Sequence, residues 1–169
     1  MKIENVVGAL SLALADDFLK AAQSHTPKSL SAAAIALVGH APGITVGQLS
    51  RALGLSHPGA VRLVDRLAEG ELLNRERSVS DGRAVALTLT EAGEDICQRI
   101  LSSRQSALSR ALASLCPADR ETLGRIAEVM LRGMLKDEDH AFEICRLCDP
   151  LICNECPVEA EIVGREAQG

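Results

Sequence analysis

S-H-P-G-A-V-R-L-V-D-R-L-A-E-G-E-L-L-N-R-E-R-S-V-S-D-G-R-A-V-A-L-T-L-T-E-A-G, residues 56 to 93, changes its periodicity twice, and the fold follows from those changes. Ser56 precedes Pro58, which is tolerated in a first helical turn because amides there have no intrahelical acceptor, so Ser56 reads as the cap of a helix. Val61, Val64 and Leu67 supply an inner stripe, leaving Arg62, Asp65, Arg66 and Glu69 outward, with Asp65 and Arg66 a candidate surface pair. After Gly70 the period drops to two. Leu72 to Arg77 and Ala84 to Thr90 flank the polar turn S-V-S-D-G, the pattern of a hairpin rimmed by Arg75, Arg77 and Arg83. Thr90, followed by Glu91, Glu94 and Asp95, then opens a long helix, because acids near a helix N-terminus complement its dipole.

Upstream, Thr45 and Gln48 form a capping box that starts a short helix carrying Leu49, Ala52 and Leu53 and ending at Gly54. Together with the Ser56 helix this is a helix-turn-helix pattern. Further back, Ile3, Val7, Leu10, Leu14, Phe18 and Ala21 recur at helical spacing, and a second helix runs from about Ser31 to Val38 before the turn H-A-P-G. Downstream, Ile96, Ile100, Ala107, Leu108, Ala111, Leu112 and Leu115 continue the long helix. Pro117 separates it from a last helix with Leu123, Ile126, Met130 and Met134. The expected fold class is mainly α with a small β-hairpin, a winged helix-turn-helix with long dimerisation helices. Ile3, Val7, Leu10 and Leu14 have too little remaining chain to cover them, so the first helix and the last two are expected to pack across a twofold axis.

The 169 residues suit one domain with an appendage, and 47% apolar against 24% charged residues favours a folded chain over a disordered one. Phe18 and Phe142 are the only aromatic residues, which argues against modules that stack single-stranded bases on rings, so any nucleic acid should be duplex. No apolar run approaches a membrane span, and the first residues mix acids into an amphipathic pattern; the expected location is cytoplasmic. The net charge of −5 is unevenly spread: 16 basic and 14 acidic residues up to Lys136 give +2, whereas 2 and 9 from Asp137 onward give −7. Residues 1–136 are therefore expected to form the main unit, with the helix-turn-helix and hairpin at about 31–90 its candidate DNA-binding core, and 137–169 an acidic, cysteine-rich segment.

The order of elements and the string from Ser56 to Gly93 resemble the MarR family of winged helix-turn-helix regulators, over about Asn5 to Leu135. The resemblance implies a homodimer that binds operator DNA, acts as a repressor, and answers a small-molecule effector, a metal or a redox signal. It implies that the helix from Ser56 to Glu69 enters the major groove and the hairpin an adjacent minor groove. It points to Ser56, His57, Gly59, Ala60 and Arg62 near the groove and to Asp81 and Arg83 on the wing; Thr45, Arg66, Arg75 and Arg77 complete the candidate DNA-binding set. Asp81 and Arg83 match the family's D-x-R wing motif. Gly82 departs from it where many relatives carry another arginine, which predicts weaker binding by the wing tip. An arginine on a projecting turn suits the concentrated negative potential of a narrow minor groove. No hydrolase motif is present: Ser56 lacks a G-x-S-x-G elbow, and no enzyme activity is expected.

Cys145, Cys148, Cys153 and Cys156 lie beyond that resemblance, as C-x2-C-x4-C-x2-C. In a chain without an export signal, paired C-x2-C units favour metal binding over a disulfide framework. Four thiolates supply a closed zinc shell, and the same residues suit an iron-sulfur cluster; reduced thiols or disulfides remain a third reading. His140 is a weaker candidate ligand. Cys116, before Pro117, reads either as a helix cap whose thiol feels a positive helix end or as a small buried residue, and Cys97 as inert. The rival functional class is a metal or redox protein that uses the winged domain as a scaffold.

Overall fold

The computed structural model describes residues 1–26, 29–77, 84–152 and 155–166. Eight helices and one hairpin follow in the order α1 (Lys2–Gln23), α2 (Ser29–His40), α3 (Val46–Ala52), α4 (His57–Glu69), β1 (Leu73–Arg77), β2 (Val85–Leu89), α5 (Glu91–Leu112), α6 (Pro117–Met134), α7 (Glu138–Cys145) and α8 (Pro157–Glu166). The expected fold class, mainly helical with a small hairpin, is what the chain adopts.

The helix-turn-helix is built on local signals. Thr45 accepts from the Gln48 amide at 3.2 Å while the Gln48 side chain accepts from the Thr45 amide at 2.9 Å, completing the capping box of α3. Gly54 takes φ 61°, a left-handed turn that costs a glycine little, and Ser56 accepts from Gly59 N to start α4. Residues 31–38 of α2 are buried on all sides, and the run Ala32-Ala33-Ala34 keeps the helix slim enough for α1, α5 and β2 to approach closely. Ile35, Leu37, Val38, Leu49, Leu63, Val64, Leu87 and Ile100 are the largest fully buried side chains, so α2 to α5 and β2 share one core.

In the hairpin Leu73 faces Leu89, Arg75 faces Leu87 and Arg77 faces Val85. Gly43 N donates to Leu87 O and Leu87 N to Ile44 O, so the segment before α3 meets β2 in an isolated antiparallel bridge, Thr45 opposite Ala86. The wing is thereby hydrogen-bonded to the start of the helix-turn-helix. The long helices α1 and α5 lie together, tied by His25 Nε2 to Ser103 Oγ at 2.7 Å and by Arg104 over the Phe18 ring.

One reading of the sequence changes. The buried face of α4 is Ala60, Leu63, Val64 and Leu67, and Val61 is turned outward at 36% exposure. Burying Leu63 satisfies more apolar area than burying Val61, and the helix rotates accordingly. The segment after Lys136 is helical at its start: Asp137 caps α7 by accepting from His140 N at 2.8 Å, and Cys145 is the last residue of α7. Leu135, Ala141, Cys145 and Val158 form a small second core there, while Leu147 and Phe142 reach the main one. Among the described residues, no helix is long and apolar enough to cross a membrane.

Candidate nucleic-acid interface

The outward side of α4 carries His57, Val61, Arg62 and Arg66, all exposed. Ser56 caps the helix end that presents His57. Gly59 is half-buried, and a Cβ there would stand 3.1 Å from Ser56 Oγ, so the tight cap explains the residue. Ala60 is 0% exposed and cannot touch a ligand from the inner side of the helix, so it leaves the set of candidate contacts. Val61 replaces it as an outward apolar side chain of the kind that packs against a thymine methyl.

Beside α4 stands the wing. Arg75 pairs with Asp65 of α4, so the partner of Asp65 is across the hairpin and not the adjacent Arg66. Both members are over a third exposed, which limits the pair to well under 1 kcal/mol of stability, but it fixes the direction of Arg75 relative to α4. Arg77 is exposed two register steps further along β1. Thr45, His57, Val61, Arg75 and Val85 border one shallow depression between α3, α4 and the wing. Thr45 thus has a structural duty as cap and also faces this surface. Asp81 and Arg83 lie outside the described residues.

The remaining site residues are the cysteines. Cys145 is buried, Cys148 and Cys156 are half-buried, and Cys153 lies outside the described residues. A hydrogen bond from the Cys145 side chain, aided by Arg104, brings the Cys148 thiol down to about 6 against the opposing effects of burial and Asp149. Among the described residues no three His, Cys, Asp or Glu side chains stand at the spacing of a formed metal shell. His140 is otherwise engaged, its Nδ1 accepting from Lys136 N. Cys116 is an exposed helix cap rather than a buried filler, and its thiol donates to Asp119 Oδ2 at 3.1 Å. Cys97 is buried, and desolvation, with Asp149 and Glu94 adding to it, pushes its thiol up to about 11. Iodoacetamide at mildly alkaline pH is therefore expected to alkylate Cys116 in the folded protein and leave Cys97 unmodified, read by peptide mass spectrometry. Equal labelling of the two would show that the α2–α5 contact opens readily.

A family model described as MarR family matches residues 27–84, the segment from α2 through the first residue after the wing turn. Transcriptional repressor MprA of Escherichia coli (strain K12) is 30% identical over 88 residues, 52% of this chain, and the chain spans 50% of that relative's length. A MarR family protein from Bacillus stearothermophilus superposes with a TM-score of 0.71 at 23% identity, over 80% of this chain and 94% of that one. A structure of a transcriptional repressor, CouR, bound to a 23-mer DNA duplex aligns at 26% identity and a TM-score of 0.55, covering 74% and 89% of the two chains. The likeness to the solved structures extends past residues 27–84, covering 80% of the chain in the Bacillus stearothermophilus case.

Proposed function

We propose that the chain is a sequence-specific, duplex-DNA-binding transcriptional repressor, homodimeric, cytoplasmic and without enzymatic activity. The observation that carries this reading is the surface of α4: a capped helix presents His57, Val61, Arg62 and Arg66 outward, next to an arginine-bearing wing tied to it through Asp65 and Arg75. Arginine suits this surface because its planar fork reaches guanine edges and phosphates bidentately. The helix reads the major groove, Arg75 and Arg77 hold phosphates, and Asp81 and Arg83 extend the wing toward the minor groove. MprA and CouR, both transcriptional repressors, support the direction of regulation.

The dimer rests on uncovered apolar side chains. None of the residues of α6 is buried within the protomer, and Leu123, Ile126, Val129, Met130 and Met134 are exposed, as are Ile3, Val6, Leu10 and Leu12 of α1. Large exposed apolar faces of this kind mark protein interfaces, and a second copy related by a twofold axis covers both at once. Such a dimer places two α4 helices on half-sites about 10 base pairs apart.

The test is a mobility shift with promoter DNA at two salt concentrations. Arg62→Ala is expected to reduce discrimination among operator variants by about 1 to 3 kcal/mol, as a base-edge contact would. Arg83→Ala should instead weaken sites according to minor-groove width. Unchanged binding in both variants, or no binding by the parent at low salt, would overturn the assignment and leave the winged domain a scaffold for the cysteine segment.

A further inference from the structure

Cys145 and Cys148 meet across a single turn at the end of α7. Cys148 N donates to Cys145 O at 2.8 Å, and the Cys145 thiol donates to the Cys148 sulfur. A turn of this kind holds its first and fourth Cα atoms within about 7 Å, and a disulfide spans about 4.4 to 6.8 Å, so the two sulfurs can join without displacing the helix. The pair differs in access. Cys145 is buried at 6% exposure, whereas Cys148 is half-buried on the wall of a cavity of about 540 Å³ between α7 and α8. Among the described residues no three metal-binding side chains stand as a shell, and the sulfur-to-sulfur contact suits a different reaction.

We propose that Cys145 and Cys148 are a reversible disulfide-forming pair that exchanges with low-molecular-weight disulfides, Cys148 attacking and Cys145 resolving. The Cys148 thiolate attacks one sulfur of the small disulfide. A bond forms between Cys148 and that sulfur, the original S–S bond breaks, and the other half leaves as a thiolate. Cys145 then gives up its proton, its sulfur bonds to Cys148, and the second small thiol departs. The protein dithiol is thereby oxidised by two electrons while one small disulfide is reduced to two thiols. The roles follow from position: Cys148 is the sulfur with more access, and the Cys145 S–H aimed at it supports negative charge there and stands where the resolving attack begins. Glu138, Asp149 and Glu159 on the same wall favour a disulfide that carries positive charge.

The turn is also a joint. On one side α7 packs on α3, where Asp139 pairs with Arg51 at 2.8 Å. On the other, Leu147, which lies between the two cysteines, is buried in the main core. A disulfide across the turn fixes the angle at which α7 leaves that core, and with it the seat that α7 offers the first helix of the helix-turn-helix. This regulatory half rests on the DNA-binding reading; the dithiol itself does not.

Reduced full-length protein is treated with cystamine, whose two ammonium groups suit the acidic wall, then blocked with N-ethylmaleimide and digested with trypsin without reduction. Arg146 lies between the two cysteines, so cleavage there puts Cys145 and Cys148 on separate peptides that a disulfide would hold together. A crosslinked pair that dithiothreitol releases is expected, with two cysteamines formed for each crosslink. Because the attacking sulfur sets the rate, Cys148→Ser should slow cysteamine release at least about 10-fold and abolish the crosslink. Cys145→Ser should stop at a mixed disulfide, one cysteamine retained on Cys148, while Cys153→Ser and Cys156→Ser keep the crosslink. Circular dichroism checks that each variant is folded. A crosslink that persists in Cys148→Ser or disappears in Cys156→Ser overturns the pairing, as does a treated parent whose two peptides separate. A second arm compares operator affinity of the reduced and crosslinked protein, with a change of at least about 5-fold expected, the lower end of ordinary coupling between sites. Unchanged affinity in crosslinked protein overturns the coupling alone, whereas a parent that binds no DNA in either state refutes the DNA-binding reading and leaves the dithiol standing.

Discussion

Val129→Asp is expected to leave the winged domain folded and the protein monomeric. Val129 is 65% exposed and α6 buries none of its residues in the protomer, so a carboxylate there meets water and costs little in the isolated chain. Across a twofold interface the same carboxylate loses that water, and symmetry imposes the loss twice. Stripping water from an unpaired ion costs several kcal/mol, so two of them remove at least about 4 kcal/mol from association, roughly a thousandfold in the dissociation constant. Operator affinity should fall by at least about 100-fold with it, because one α4 and one wing reach only one half-site. Sedimentation at micromolar concentration beside circular dichroism separates this outcome from unfolding. A Val129→Asp protein that remains a folded dimer would move the interface away from α6.

What the sequence disclosed was what local chemistry settles. The boundaries of α3, α4 and α5 follow from Thr45, Ser56 and Thr90, each of which makes the cap its residue type promises. The phase of α4 was not local. In the run Ala60-Val61-Arg62-Leu63-Val64, two apolar rows lie on adjacent sides of the helix. Packing against α3 and β1 is what buries Leu63 and turns Val61 out. Helices α7 and α8 were hidden for a related reason: each is at most ten residues long, too short to persist in water by propensity, and their stability comes from Leu135, Phe142 and Val158 reaching neighbouring elements. The same limit applies to the site. Arg75 and Asp65 are ten residues apart and on different elements, so their pairing leaves no local signal in the chain.

Gly93→Ala is expected to destabilise the protein and displace the wing, although alanine is the better helix former by about 1 kcal/mol. The position lies in the first turn of α5, where Gly93 N donates to the Thr90 cap at 3.0 Å. A Cβ added there would stand 2.1 Å from the backbone oxygen of Leu72 and 3.4 Å from Leu89 Cβ. The obstacle is main chain, which cannot swing aside as a side-chain tip would. That stretch is also tightly held: Thr90 N donates to Leu72 O at 3.2 Å, Thr90 Oγ1 donates to Glu71 O at 2.6 Å, and Glu71 already occupies the left-handed region at φ 57°. Overpacking of this sort costs about 1 to 3 kcal/mol and more where backbone must move, so sterics outweigh propensity and a net loss of about 2 kcal/mol should appear in urea unfolding. Relief requires Leu72 to retreat from α5, and Leu72 leads directly into β1, which carries Arg75 and Arg77. Operator affinity of the folded variant should therefore fall by more than the fraction unfolded accounts for. A Gly93→Ala protein as stable as the parent would mean that the approach of α5 to Leu72 is loose, and that the wing is held by its hydrogen bonds to Gly43 and Ile44 instead.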